Sequence, residues 1–444
     1  MTENKYIIKL MIKHISTRIQ LGEEKIMIDN EWISFIQMSD IHFKSSSGDP
    51  YDLDTELRSA MIRDLKNNVL RHIGNIKGIL VCGDLAFSGQ KGELEIAKEF
   101  LNEITLLLEL SLKDVFCVVG NHDVDQNVIK RSHIIELLQS ELKKVDDTDA
   151  DKLDSILRKI QKDVHIQGLL YKPIDNYNQF ADSLLCNYTV DKPNWERDFE
   201  LNEKYTLRLW GMNSTLISSH KDHLDEEGNW LPYGEERKMV INNKQIPEPQ
   251  DNVIYMTLCH HPTKCWNNER LVSMMDGRAK LQLYGHKHIQ SIDANEQRIA
   301  INSGALQPER GKDWIPLYNW ISLKVVDNEL IVRIFPRIYD KIIGNFKKDV
   351  KNCDTEKQYR ELRLKLDGFS DKQCIEEKKF VRKITPISKE IAYRYSVLSQ
   401  SDLKYIANKF PDIDYDEDTL DRLLVQLQEK GIEETFLEQL KNIK

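Results

Sequence analysis

Cysteine is scarce in this 444-residue chain: seven residues, an odd number, each standing singly. A disulfide scaffold needs paired cysteines in a short chain, so that class is excluded. Cys82, Cys117 and Cys259 lie inside apolar runs, as reduced core thiols do, and a reducing cytoplasm is expected. No apolar run approaches the roughly 18 residues of a membrane span. Residues 1–14 are broken by lysines and lack the small residues of a cleavage site, so neither a span nor a signal peptide is expected. Proline (12) and glycine (19) are too few for a collagen-like or low-complexity chain. Charge of either sign is not in large excess: 63 basic against 72 acidic side chains give −9. The whole-chain field therefore gives no argument for nonspecific nucleic-acid binding, although a local basic groove is compatible with it. What is present, 40% hydrophobic and 30% charged residues, is globular composition with length for two or three folded units.

Five short apolar runs, 35–38, 78–82, 115–119, 253–259 and 281–284, read as buried strands. Segments 53–72 and 92–110 between them have helical spacing and charged faces, and the alternation argues an α/β sheet. Further strands are expected at 298–302, 320–326 and 329–335, the last two joined by a hairpin turn at Asp327-Asn328. From about 125 to 202 helical runs replace strands (128–144, 152–162, then the aromatic stretch 171–180). This reads as a helical insertion, either a cover over the strand ends or padding on the flank. Residues 346–410 carry 16 basic and 10 acidic side chains, whereas 411–444 carry 4 and 10. A basic connector thus precedes an acidic helical tail. In that tail Leu420, Leu423, Leu424 and Leu427 are spaced for one helix face, with Asp416 or Asp418 as N-cap and Gly431 as stop. A second helix over 433–441 would pack through Phe436, Leu437 and Leu440. The tail is either a docked bundle or a separate interaction module.

Each of the first five strands is followed at once by groups able to bind metal: Asp40-Ile41-His42, Gly83-Asp84, Gly120-Asn121-His122-Asp123, His260-His261-Pro262 and Gly285-His286-Lys287-His288. Singly, each piece is an ordinary turn or a satisfied histidine. Five in succession at five strand ends are not. In an extended segment Asp40 and His42 would share one face, and Gly83, Gly120 and Gly285 would allow sharp turns that aim the next residue inward. Carboxylates, imidazoles and one amide suit manganese, iron or zinc rather than calcium or a thiolate zinc site. The donors are too many for one ion, and Asp84 could bridge two.

This ordered set, D-x-H, G-D, G-N-H-D, H-x-P and G-H-x-H, resembles the calcineurin-like metallophosphoesterase superfamily over roughly residues 31–340. The resemblance implies an α/β fold, a β-sandwich flanked by helices. Residues 1–30 would be an N-terminal extension, 31–345 the catalytic domain with the insertion at 125–202, and 346–444 the connector and C-terminal helical module. It implies two divalent ions, manganese first with iron or zinc as alternatives. One would be held by Asp40, His42, Asp84 and His288, the other by Asp84, Asn121, His260 and His286. His260 is chosen over His261 because it stands two before the proline and because strand neighbours face opposite ways. A hydroxide between the ions would attack phosphorus, His122 would protonate the leaving oxygen as the catalytic acid, and Asp123 would orient its loop.

Phe87 stands where many relatives carry an aspartate that orients the catalytic histidine, which leaves His122 without that partner. Purple acid phosphatases place a metal-binding tyrosine there, and the G-D-x-V-D-R-G signature of protein phosphatases is missing too. What remains resembles cyclic-nucleotide phosphodiesterases and SbcD-type nucleases. The expected activity is a phosphodiesterase acting on a nucleotide or nucleic-acid ester. The alternatives are a nuclease using the basic stretch 347–389, and an effector or scaffold recruited by a protein partner through the tail, which resembles small helical adaptor modules of bacterial conflict systems. Three residues are candidate substrate contacts: Asn213, or a capped turn; His261; and Lys287, or a solvent-facing side chain. His220 and His223, with Trp230 and Tyr233, would form a loop over the cleft or a solvated one.

Overall fold

The computed structural model describes residues 31–47, 52, 54–145, 150–218, 239–308 and 315–366, then scattered positions from 387 to 427 and residues 430–442. The expectations for residues 1–30, for the loop with His220, His223, Trp230 and Tyr233, and for Asp416, Asp418 and Leu420 lie outside the described residues. The chain divides into two compact units, 1–368 and 369–444.

In the first unit the strands are β1 (Ile33–Met38), β2 (Ile76–Val81), β3 (Val115–Cys117), β4 (Asn194–Glu200), β5 (Thr206–Met212), β6 (Val253–Cys259), β7 (Ala279–Tyr284), β8 (Gln290–Ala294), β9 (Ile299–Ser303), β10 (Leu317–Val326), β11 (Glu329–Asp340), β12 (Asn345–Lys348) and β13 (Arg360–Lys365). They form two sheets. One runs β12-β11-β10-β1-β2-β3, with β13 also on β11, and the other runs β4-β5-β6-β7-β9-β8. β1, β2 and β3 are mutually parallel, as are β5, β6, β7 and β9. All six residues of β1 are buried; a strand covered on both faces reads as a continuous apolar run rather than an alternation. The sheets share one core, where Phe35 of β1 meets Phe199 of β4 at 5.3 Å and Phe116 of β3 meets Trp195 of β4 at 6.2 Å. The fold is the expected two-sheet α/β architecture.

Helix α1 (Thr55–Asp64) buries Leu57, Ala60, Met61 and Asp64, the i, i+3, i+4, i+7 stripe of an amphipathic helix, and continues through a π turn (Leu65–Val69) to His72. Its last residue makes the main polar tie of the unit. Buried Asp64 receives Arg337 Nε at 2.9 Å and Nη2 at 2.5 Å, with the Tyr318 hydroxyl and Asn68 donating to the same carboxylate. Helix α2 (Lys91–Leu107) starts at a reciprocal capping box between Gln90 and Glu93. The turn at Asp327-Asn328 has both residues at positive φ (49° and 58°), as a two-residue hairpin of the right twist requires.

Three expectations change. The run 128–144 is two helices, α3 (Gln126–Lys130) and α4 (His133–Lys143), because the Ser132 hydroxyl accepts from Ile135 N at 3.4 Å and begins a new helix. The insertion continues through α5 (Ala150–Lys162) and α6 (Asp175–Asp182) but closes with a strand. β4 is charged in sequence, yet it pairs with β5, and Trp195 lies across Gly211, where a Cβ would stand 1.9 Å from the indole. As to cover or padding, α6 packs behind the sheet: the buried Tyr177 hydroxyl donates to the Cys117 carbonyl of β3 at 3.0 Å. The stretch read as a connector from 346 begins with β12 and β13, polar edge strands whose ladder partner is β11. Helix α7 (Glu269–Arg278) flanks the second sheet.

In the second unit Ile391, Ile406, Leu423, Leu424 and Leu427 cluster with Phe436, Leu437 and Leu440 of helix α8 (Glu433–Lys441). Gly431, at φ 64°, precedes that helix. No helix among the described residues is long and apolar enough to cross a membrane. Of the six described cysteines five are buried, and Cys353 is half-buried.

Candidate metal centre

Parallel strands bring their C-terminal ends to one edge, and the five motifs meet there. Asp40 and His42 follow β1, Asp84 follows β2, Asn121 and His122 follow β3, His260 and His261 follow β6, and His286 and His288 follow β7. The backbone that presents them is not extended. Asp40 (φ 54°), His42 (52°), Asp84 (55°), His286 (68°) and His288 (52°) all occupy the left-handed region. A non-glycine residue there costs roughly 1–2 kcal/mol, and such strain concentrates at functional sites. Paired loops hold it in place: Asp40 N donates to Gly83 O (3.1 Å), and Ile41 N and His42 N both donate to Asp84 O (2.8 and 3.0 Å). Of the three motif glycines only Gly83 has positive φ (92°). Gly120 and Gly285 serve close approach instead, since a Cβ on them would stand 2.1 Å from Asp84 Oδ1 and from Ser39 Oγ respectively.

The donor atoms converge in two groups that share Asp84. On one side His42 Nε2 lies 3.4 Å from His288 Nε2, and His288 Nε2 lies 3.3 Å from Asp40 Oδ1. On the other, Asn121 Oδ1 lies 2.8 Å from His260 Nε2 and 3.2 Å from His286 Nδ1. Asp84 Oδ2 stands 3.3 Å from His260 Nε2 and 4.0 Å from His42 Nε2. Bonds of about 2.0–2.1 Å to a tetrahedral ion give donor–donor edges of about 3.3–3.4 Å, so several of these separations already fit a coordination shell. Asp40 and Asp84 are 0% and 1% exposed. Their described partners are imidazoles and main-chain N–H groups, with Gly285-flanking His286 N at 3.2 Å from Asp40 and His122 N at 2.8 Å from Asp84. Buried carboxylates need compensating positive charge, and a divalent ion held here would supply it.

The electrostatics agree. Burial works to raise the Asp84 carboxyl, but His260, His122 and His42 outweigh it and hold it well below the ordinary range. Burial likewise opposes a charge on His260, yet Asp84 and Asp40 push that imidazole up to about 9. Burial drives His42 down to about 4. A metal takes neutral nitrogen, so His42 is ready to bind while His260 would give up its proton to an entering ion. His260 Nδ1 also lies 2.9 Å from the Cys82 carbonyl; donation there would leave Nε2 as the lone-pair nitrogen facing Asp84 and Asn121.

The other candidates resolve as follows. His122 has a partner after all: its Nδ1 lies 2.8 Å from the main-chain carbonyl of Phe87. A peptide oxygen thus takes the orienting position for which the sequence offered no aspartate. Asp123 is fully buried and accepts from Ala86 N (2.7 Å) and Gly120 N (2.9 Å), which ties the β2 and β3 loops together; burial and the neighbouring Asp84 push its carboxyl up to about 7. Both of its oxygens are thus taken by main-chain N–H groups. β6 ends at Cys259, so strand alternation does not separate the two histidines after it. The His261 ring is 4.8 Å from His260 and 4.5 Å from His286, with Nδ1 2.8 Å from Ser214 Oγ. At 1% exposure it is grouped with His260 and His286, whose ligand atoms all lie within 4.8 Å of one another. Asn213 is equally buried and closes its own turn by accepting from Thr215 N at 2.8 Å. Lys287 is half-buried between the two histidines of its motif. Sequence reasoning missed Ser214, the direct neighbour of Asn213, as the residue that contacts His261.

A family model described as calcineurin-like phosphoesterase matches residues 33–290. The chain belongs to the calcineurin-like phosphoesterase family. The family is one of metal-dependent phosphoric ester hydrolases. Among members of the family, a Bacillus subtilis (strain 168) protein, YydB, described as an uncharacterized metallophosphoesterase-like protein, is 26% identical over 284 residues, 62% of this chain and 53% of that protein. The chain therefore spans about half the length of that curated relative. Among solved structures, a Vps29 mutant from Entamoeba histolytica is 11% identical, covering 71% of this chain and 97% of its own, with a TM-score of 0.28. A putative 5'-nucleotidase from Staphylococcus aureus, in complex with alpha-ketoglutarate, is 14% identical, covering 72% and 53%, with a TM-score of 0.30.

Proposed function

We propose that this phosphoesterase hydrolyses a phosphodiester of nucleotide type, using two divalent ions, manganese first and iron or zinc otherwise. Asp40, His42 and His288 would hold one ion, Asn121, His260 and His286 the other, and Asp84 both. The observation that carries this reading is the position of Asp84 Oδ2 between His260 and His42. When bound, such ions supply a water nucleophile at neutral pH and positive charge for the phosphoryl oxygens. The chain's own contribution is geometric and acidic. Asp40 and Asp84 are fixed by main-chain N–H groups. His122, held through Nδ1, keeps Nε2 to deliver a proton to the departing oxygen. An alkoxide leaving group needs that proton, which favours an ester of nucleotide type over an activated monoester. With manganese-loaded protein, bis-p-nitrophenyl phosphate is expected to turn over at least about tenfold faster than p-nitrophenyl phosphate; monoester preference would overturn the diester assignment. His122→Ala is expected to slow hydrolysis of 3',5'-cyclic AMP, whose alkoxide leaving group needs a proton, by about 10²–10⁴-fold with the metal content per chain unchanged by elemental analysis. Equal rates would remove the acid role.

In the described part of the basic stretch, three of the seven basic side chains are already paired, which weakens the nuclease alternative to that extent. Lys347 pairs with Asp340, Arg363 with Glu329 and Glu361, and Lys357 with Asp354. Charges already paired within the protein release few counterions from DNA, so a steep fall of binding with salt is not expected from them. The second unit's separate core favours a helical module for a protein partner. A chain ending at residue 368 is then expected to retain metal-dependent diester turnover within about twofold, and loss of folding on truncation would make the tail a structural element instead.

A further inference from the structure

Phe87 is an exposed aromatic ring at the mouth of a polar centre. It is 41% exposed, its ring centroid is 5.7 Å from His122 and 6.5 Å from His42, and Lys44 Nζ sits 4.7 Å above its ring. Both of its main-chain groups are committed: Phe87 N donates to Phe43 O at 2.9 Å, and Phe87 O faces His122 Nδ1 at 2.8 Å. The ring is therefore presented by a backbone that cannot drift without disturbing His122. Elsewhere in the core, phenylalanines such as Phe35, Phe43 and Phe116 are at most 2% exposed. Other apolar side chains are more exposed, Ile342 and Val164 among them; what sets Phe87 apart is its place beside His122 and His42.

We propose that Phe87 determines substrate specificity: its ring is the stacking platform for a nucleobase whose phosphate lies at the Asp84 centre, and Lys44 is the cation that covers the ring until the base arrives. The inference rests on the reading of this centre as a nucleotide-ester hydrolase and adds the part of the substrate that is recognised. The spacing between ring and imidazoles is one that a single nucleotide spans from base to phosphate. Stacking of a base on an aromatic side chain generally outweighs an exposed cation–π contact, so the base displaces the Lys44 ammonium from the ring. The freed ammonium stays at the mouth, where it meets the negative charge that the nucleotide brings. Because His122 is oriented by the carbonyl of residue 87 and not by its side chain, changing the ring leaves that hydrogen bond available.

The test is calorimetric binding of AMP and of ribose 5-phosphate to the manganese-loaded full chain. These ligands share the phosphate and the sugar and differ by the base. AMP is expected to bind about tenfold more tightly than ribose 5-phosphate. F87A should abolish that preference by weakening AMP, and F87W, which restores a ring, should recover it. Equal affinity for the two ligands in the unsubstituted protein, no binding of either, or a preference that survives F87A would overturn the proposal. Turnover of bis-p-nitrophenyl phosphate by the same preparation reports the phosphodiesterase reading separately. A base preference without diester turnover leaves the platform and removes that reading; diester turnover without a base preference does the reverse.

Discussion

Asp84→Asn is expected to lower diester turnover by on the order of 10³-fold or more, because the ions' stabilisation of transition-state charge is worth several kcal/mol and each 1.36 kcal/mol is tenfold in rate. The side chain is 1% exposed, and its two oxygens have separate duties. Oδ1 accepts from His122 N at 2.8 Å, and Oδ2 faces His260 Nε2 and His42 Nε2. Asparagine can keep the first duty with its carbonyl. It fails the second, since an uncharged NH₂ would point its protons at the imidazoles and offer no lone pair to an ion. The loss should therefore appear in metal content as well as in rate, with fewer than two ions retained per chain by elemental analysis and a melting temperature within a few degrees of the parent. Normal turnover and full metal content in this variant would sink the bridging assignment.

The largest stability effect is expected far from the metal centre, at Asp64. Its carboxylate is 0% exposed and receives Arg337 in a two-pronged contact, while Arg337 also donates to Phe346 O at 3.3 Å and lies over the Trp320 ring at 4.5 Å. Taking away one partner leaves a buried guanidinium with only a neutral acceptor. Breaking such a pair costs about 3–5 kcal/mol, whereas replacing both members by apolar residues is often near neutral. Asp64→Ala should thus lower the urea midpoint strongly, and Asp64→Leu combined with Arg337→Met should recover most of the loss. All seven tryptophans precede residue 369, so tryptophan fluorescence excited at about 295 nm, where tyrosine stops absorbing, follows the first unit without the second. A loss below about 1 kcal/mol in Asp64→Ala would show that solvent reaches the pair.

The apolar runs that became β1, β2, β3, β6 and β7 were legible because strands covered on both faces must be apolar regardless of what covers them. The strands that were not legible, β4, β8, β12 and β13, are polar in sequence and sit at or beside the edges of the sheets. An edge strand buries little, so its composition carries little; its conformation comes from the ladder of the neighbour it meets. The same division runs through the centre. The identities of Asp40, His42, Asp84, Asn121, His260, His286 and His288 fix a donor chemistry of carboxylate, imidazole and amide, and their places at strand ends fix that they converge.

What the sequence by itself determined is therefore the class of fold, the donor set and the family resemblance, since all three depend on residue type at positions along one strand. The tertiary structure decided the rest. It turned five of the seven metal-type residues into the left-handed region, set His261 against Ser214, and gave His122 a peptide carbonyl where the resemblance leads one to look for a carboxylate. The physical reason is common to these cases: a main-chain oxygen is present at every residue, and a left-handed φ in a non-glycine residue is imposed by paired loops, so neither leaves a mark on residue type. They become visible only when two distant segments lie side by side.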